Sequence, residues 1–165
     1  MHNFSIGNLD ELQRAVALNT NCSASTISWQ GLGMRDQLKA IYSSTIVVSL
    51  PGSDIMNNIF QPKHSGMLVP DRCDSTEGTC EGSNEIRLWF LNIPYRHIKT
   101  FEGMSNPNLQ WKGTTLYWKP SHLVHEVNFM WNAIFRSSMD GLVAHVQTRI
   151  HRERKNRAST TKFRL

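Results

Sequence analysis

The chain has few cysteines, three in 165 residues, and they lack the close spacing of a zinc site, so neither a disulfide-built scaffold nor a zinc module fits. It has no apolar run near the roughly 18 residues that cross a bilayer. Its first residues, Met1-His2-Asn3-Phe4-Ser5-Ile6-Gly7, carry neither the basic flank nor the apolar stretch of a signal peptide. There is no internal repeat, no Gly-x-Ser-x-Gly elbow, no Walker loop and no full Gly-x-Gly-x-x-Gly fingerprint, which removes several common enzyme classes. No acidic cluster suited to a metal stands out either.

What is present is enough for one domain. Hydrophobic residues make up 39% of the chain, and a chain of 165 residues buries roughly two-thirds of its unfolded surface without a staple. The net charge is +5, and its placement matters more than its size. Six basic residues lie between Arg152 and Leu165 (Arg152, Arg154, Lys155, Arg157, Lys162, Arg164) against the single acid Glu153. The remainder is balanced, twelve against twelve. A nucleic-acid binder spreads positive charge over its folded face, so no nucleic-acid partner is expected; residues 1–151 read as the domain and 152–165 as a basic, disordered tail.

Cys73 and Cys80 bracket the polar stretch Asp74-Ser75-Thr76-Glu77-Gly78-Thr79, where a local disulfide would close easily in an oxidising compartment. Asn3 and Asn21 each begin an Asn-x-Ser acceptor for glycosylation. Both features lean toward a lumenal or secreted setting.

Periodicity supplies the elements. Asn8, with Glu11 three residues on, reads as the cap of a helix bearing Leu9, Leu12, Ala15 and Val16. A strand is expected over Thr26 to Trp29, a helix from Met34 to Tyr42 with Met34, Leu38 and Ile41 on its apolar stripe, and a strand covered on both faces over Thr45 to Ser49. After Leu50-Pro51-Gly52-Ser53-Asp54, the spacing of Ile55, Met56, Ile59 and Phe60 suggests a short helix stopped by Pro62, followed by the strand Gly66 to Pro70. Strand, glycine turn, helix and strand make a βαβ unit, so the two strands should be parallel. Glu85 to Phe90 reads as a short strand or helical turn, and Tyr95 to Trp118 as irregular with possible short strands. A helix of about four turns begins at Lys119-Pro120-Ser121, and a separate amphipathic segment covers Leu142 to Ile150.

The turn after the first buried strand is the most chemical feature. Gly52 allows close approach of a ligand, and the amides of a helix start at Ser53-Asp54 favour an anion; capping the helix is the other role open to Ser53 and Asp54. In parallel sheets ligands sit at the carboxyl ends of strands, where this turn lies. His122 and His125 stand three apart on a helix, a ligand spacing, but with no third ligand they read as surface or capping residues, and His64 as a loop residue. Trp111, Tyr117, Trp118 and Trp131 are core residues or stacking platforms.

From Asn8 to Pro70 the chain resembles the C-terminal, donor-binding half of family 61 glycosyltransferases, which include plant xylan xylosyltransferases and animal O-linked N-acetylglucosamine transferases. The matching stretches are Asn8-Leu9-Asp10-Glu11-Leu12, Met34-Arg35-Asp36-Gln37-Leu38, Thr45 to Ser49, Pro51-Gly52-Ser53-Asp54-Ile55-Met56-Asn57, Ile59-Phe60-Gln61-Pro62 and Leu68-Val69-Pro70, in the family's order. Pro51 stands where the family has histidine, and Ser53-Asp54 replace its Ala-Gly pair.

The resemblance implies an α/β, Rossmann-like parallel sheet flanked by helices, one lobe of a GT-B architecture, whose acceptor lobe and catalytic base lie in a longer chain or a partner. It implies a nucleotide-diphosphate sugar as donor, a glycan or glycoprotein as acceptor, no metal, and a place in the secretory pathway lumen. It assigns Gly52, Ser53, Asp54 and Asn57, with Gln37 beside them, to the donor site. The alternatives are a catalytically inactive sugar-nucleotide or protein-binding module, and a basic-tailed nucleic-acid binder.

Overall fold

The computed structural model describes residues 4–29, 31–51, 58–70, 72–74, 79–81, 96–101 and 106–161. In chain order the elements are β1 (Ser5–Ile6), α1 (Leu9–Asn19), α2 (Met34–Tyr42), β2 (Ile46–Val48), β3 (Ser65–Pro70), β4 (Arg72–Asp74), β5 (Thr79–Glu81), β6 (Arg96–Phe101), β7 (Leu109–Lys112), β8 (Thr115–Trp118) and α3 (Pro120–Thr161). The architecture is α/β: the described residues form two three-stranded sheets, β1-β8-β7 and β2-β3-β6, a two-stranded ribbon β4-β5, and helices packed on them.

The sheet β2-β3-β6 is parallel throughout, and the βαβ order read between Thr45 and Pro70 places β2 beside β3 as expected. Central β3 is buried at every residue, as a strand covered on both faces must be. Ile46–Val48 of β2 is only half-buried, because among the described residues β2 is an edge strand. Strand alternation sorts β3 into two faces. Leu68 joins the core cluster with Leu12, Val16, Leu123, Val127, Met130 and Ile134, whereas Ser65, Met67 and Val69 alternate to the opposite face. Gly66 lies on the α3 face, where a Cβ atom would stand 2.5 Å from both Cγ and Sδ of Met130; a side chain at this position would displace the helix's own packing.

Helix α3 begins with Pro120 at its first position, where a missing N–H costs nothing. Its buried residues Leu123, Val127, Met130 and Ile134 recur at helical spacing and face α1 and β3. Met130 and Ile134 lie over Gly66 near the start of β3, while Glu126 meets Lys99, which is level with Leu68 further along the sheet. The helix therefore runs antiparallel to the strands, and its N-terminus points toward their carboxyl ends.

Asn8 precedes α1 without capping it. Its side-chain amide instead brackets the backbone of Trp118, Nδ2 donating to the Trp118 carbonyl at 2.8 Å and Oδ1 accepting from the Trp118 N–H at 3.2 Å. This extends the parallel β1–β8 ladder by one side chain and satisfies the last peptide of β8. The β7–β8 hairpin turns through Gly113, whose φ of +62° a glycine adopts without strain.

Several expectations are corrected. Residues 22–29 contain no strand, so Thr26 to Trp29 is loop. Of the short helix, 52–57 lie outside the described residues; 58–60 form a single 3₁₀ turn in which Ile59 and Phe60 are exposed and polar Asn58 is buried, with Gln61 buried just beyond it. Gln61 is held inside because its Nε2 donates to the Gly66 carbonyl at 3.1 Å. The stretch 95–118 carries β6, β7 and β8 rather than mostly irregular chain, and Glu85 to Phe90 lies outside the described residues. The helix beginning at Pro120 and the segment from Leu142 are one helix of 42 residues, which continues through the basic residues to Thr161 in place of a disordered tail at 152–161. A lone glycine, Gly141, costs an α-helix only about 1 kcal/mol and does not break it.

From Trp131 onward, α3 presents a second apolar stripe. Trp131, Phe135, Met139, Leu142, Val143 and Val146 are all exposed and fall within an arc of about 120° at 3.6 residues per turn. The stripe extends about 22 Å along the axis at 1.5 Å per residue.

Candidate functional site

Strands β2, β3 and β6 end on one edge of their sheet, and the chain leaving β2 there passes through Pro51. Pro51 is buried. Gly52, Ser53, Asp54 and Asn57, the residues expected to hold a donor, lie outside the described residues. Gln37 is half-buried in the first turns of α2, its Nε2 donating to the Leu32 carbonyl at 2.9 Å and so tying the helix to the preceding loop.

The same side of the sheet carries a polar chain that joins β8, α3 and β6. The indole N–H of buried Trp118 donates to Nδ1 of His122 at 2.8 Å. One helical turn on, Nε2 of His122 faces Oε1 of Glu126 at 3.5 Å, and Oε2 of Glu126 accepts from the Lys99 ammonium. Glu126 is buried; its carboxylate is held there by the Lys99 ammonium on one side and faces the His122 ring on the other, as a buried charge requires. Lys99 is about one-third exposed and lies over the Phe129 ring, 4.6 Å from its centroid. Lys99 is level with Val48 across two strand spacings, about 10 Å at roughly 4.8 Å each, and Pro51 follows three residues after Val48.

Because Nδ1 of His122 accepts the indole hydrogen, the neutral ring carries its proton on Nε2, directed at Glu126. Burial lowers the His122 pKa, the attraction of Glu126 partly opposing it, and Lys99, His125 and Lys119 push it further down. With the folded pKa below the unfolded value near 6.5, the unfolded chain takes up more protons in mild acid. The stability supplied by neutral His122 is complete above about pH 6.5 and is lost as pH falls through the folded pKa. His122→Asn keeps an acceptor for the indole and removes the titration. Its melting temperature is expected to fall less than that of the wild type between pH 7.5 and 5.5, and parallel curves would contradict this role.

The i, i+4 pair His122 and Glu126 was visible in the sequence, but Lys99 and Trp118 were not readable as their partners, since only β6 and β8 bring them there. His125, by contrast, is exposed, so the two histidines do not converge on one point. His64 sits in the connection before β3 with φ of 57°. Of the aromatic residues, Trp118 is core, Trp111 is half-buried edge-on to Phe4 with ring centroids 5.9 Å apart, and Tyr117 and Trp131 are exposed. Among the described residues no group of three or more His, Cys, Asp or Glu side chains gathers as a metal site, and no helix is long and apolar enough to cross a membrane. Asn21 is exposed, and Asn3 lies outside the described residues.

No family model matches the chain, and no curated protein or solved structure matches it. The likeness to family 61 glycosyltransferases accordingly rests on the order and spacing of the motifs between Asn8 and Pro70.

Proposed function

We propose that the chain is the donor-binding lobe of a GT-B glycosyltransferase of the secretory pathway, taking a nucleotide-diphosphate sugar at the carboxyl edge of β2-β3-β6. The observation that carries this reading is the parallel pairing of β2 with β3, which brings the chain leaving β2, as far as Pro51, to the edge where parallel sheets take ligands; Gly52, Ser53 and Asp54 follow it in sequence. Gly52 would admit the diphosphate, main-chain amides and the Ser53 hydroxyl would donate to it, Asp54 would accept a sugar or ribose hydroxyl, and Asn57 and Gln37 would border the site. Donors fixed at the departing diphosphate stabilise the charge that grows on it in the transition state, without a metal. Transfer to a glycan or glycoprotein then needs an acceptor lobe and a base from elsewhere, and the exposed stripe from Trp131 to Val146 offers such a lobe an apolar surface.

A thermal-shift panel of UDP, GDP and their sugars tests the reading. One member should stabilise the protein, by about 2.7 kcal/mol at a hundredfold excess over its Kd. Gly52→Val should abolish that shift. If no nucleotide or sugar nucleotide moves the melting temperature, the donor site is refuted. The inactive protein-binding module then stands on the α3 stripe, and a nucleic-acid binder would show itself by salt-sensitive RNA or DNA binding lost on deleting 152–165.

A further inference from the structure

Strands β4 and β5 form an antiparallel ribbon whose register sets Cys73 directly opposite Cys80, between the pairs Arg72–Glu81 and Asp74–Thr79. Directly opposed residues of an antiparallel ladder have Cα atoms roughly 4.5 or 5.5 Å apart, depending on the hydrogen-bonding pair. Both separations fall within the roughly 4.4–6.8 Å that a disulfide spans. The third cysteine, Cys22, is committed elsewhere: it is half-buried after α1 and packs against the core cluster. The ribbon also begins with only one residue between it and the end of β3, so whatever ties its strands together braces the chain leaving the carboxyl edge of the central strand.

We propose that Cys73 and Cys80 form a cross-strand disulfide that pins the β4–β5 ribbon. The bond forms by thiol–disulfide exchange with a disulfide oxidant, such as oxidised glutathione or an oxidoreductase of the compartment in which the protein folds. One thiolate attacks an oxidant sulfur and expels the other as a thiolate; the second cysteine thiolate then attacks its partner's sulfur in the mixed disulfide and releases the remaining oxidant sulfur. The two cysteines give up two protons and two electrons, and the oxidant's disulfide is reduced to two thiols. The inference rests on the ribbon's register and is independent of the nucleotide reading.

The test is a thiol count on the full chain after equilibration in an oxidising glutathione buffer, acid quench, and maleimide labelling in denaturant. One label, on Cys22, is expected before reduction and three after it, and peptide mapping should recover a Cys73–Cys80 cross-linked pair lighter by two hydrogens. Cys22→Ser should show no label before reduction and two after, which excludes an exchange artefact through the third thiol. Cys73→Ser should free Cys80 for labelling. Labelling of Cys73 and Cys80 without reduction, glutathione mixed disulfides on them, or cross-linked peptides pairing either with Cys22 would each overturn the assignment.

Discussion

Replacing Trp118 with alanine is expected to destabilise the protein by about 3–5 kcal/mol, the cost of truncating a fully buried large aromatic. Trp118 is 1% exposed and its ring lies in the cluster shared by α1, α3 and both three-stranded sheets, so collapse around the void would have to move several elements at once. It also donates to His122, and its backbone is bracketed by Asn8. Trp118→Phe separates the contributions. It keeps most of the apolar volume and removes the donor to Nδ1 of half-buried His122, a hydrogen bond worth about 0.5–1.5 kcal/mol. Urea unfolding of the wild type and both variants measures this. A Trp118→Ala loss below about 1 kcal/mol would mean that the hairpin carrying Trp118 does not pack on α3 as described.

Glu126→Ala is the second large effect. Removing one member of a buried ion pair typically costs 3–5 kcal/mol because its partner is left uncompensated. Here the partner Lys99 is one-third exposed and regains water, so a loss of about 2–3 kcal/mol is expected, toward the lower end of that behaviour. Lys99→Met combined with Glu126→Met replaces both charges by apolar side chains and should recover most of the loss. The double-mutant cycle therefore yields a coupling that either single variant overstates. If Glu126→Ala unfolds at the wild-type midpoint, α3 does not seat Glu126 against β6.

Neither result bears on nucleotide binding, and that separation is useful. The polar chain from Trp118 to Lys99 sets where α3 lies over the sheet, whereas the proposed donor contacts belong to the turn after β2. A variant at Glu126 that still folds should retain any nucleotide-dependent shift, whereas Gly52→Val should fold normally and lose it.

Local pattern was sufficient where an element's own residues decide it. The helix from Met34 to Tyr42, the strand from Gly66 to Pro70, the parallel pairing of β2 and β3, and the start of α3 at Pro120 could all be read from periodicity, glycine and proline placement, and the short crossover. The same logic failed at Ile59 and Phe60, whose apolar spacing suggests a buried face although both are exposed while Asn58 and Gln61 are buried. Hydropathy cannot anticipate that, because Gln61 is stabilised inside by the Gly66 carbonyl, a bond that exists only once β3 is in place. Nor could β6 be read: Arg96–Phe101 lacks an apolar run, and it is a strand because the exposed ladder of β3 accepts it.

What the amino-acid order determined by itself is the two helices α1 and α2, the parallel pair β2 and β3, and the position of Pro51 beyond a strand's carboxyl end, since these depend on neighbours a few residues apart. Only the folded chain decided that Trp118, His122, Glu126 and Lys99 form one polar line and that α3 is continuous, for no local preference encodes the meeting of β6, β8 and α3 or the joining of two apolar segments into one helix. The physical reason is that propensity acts through a single turn or strand, while desolvation and ladder register are properties of surfaces brought together by the whole fold.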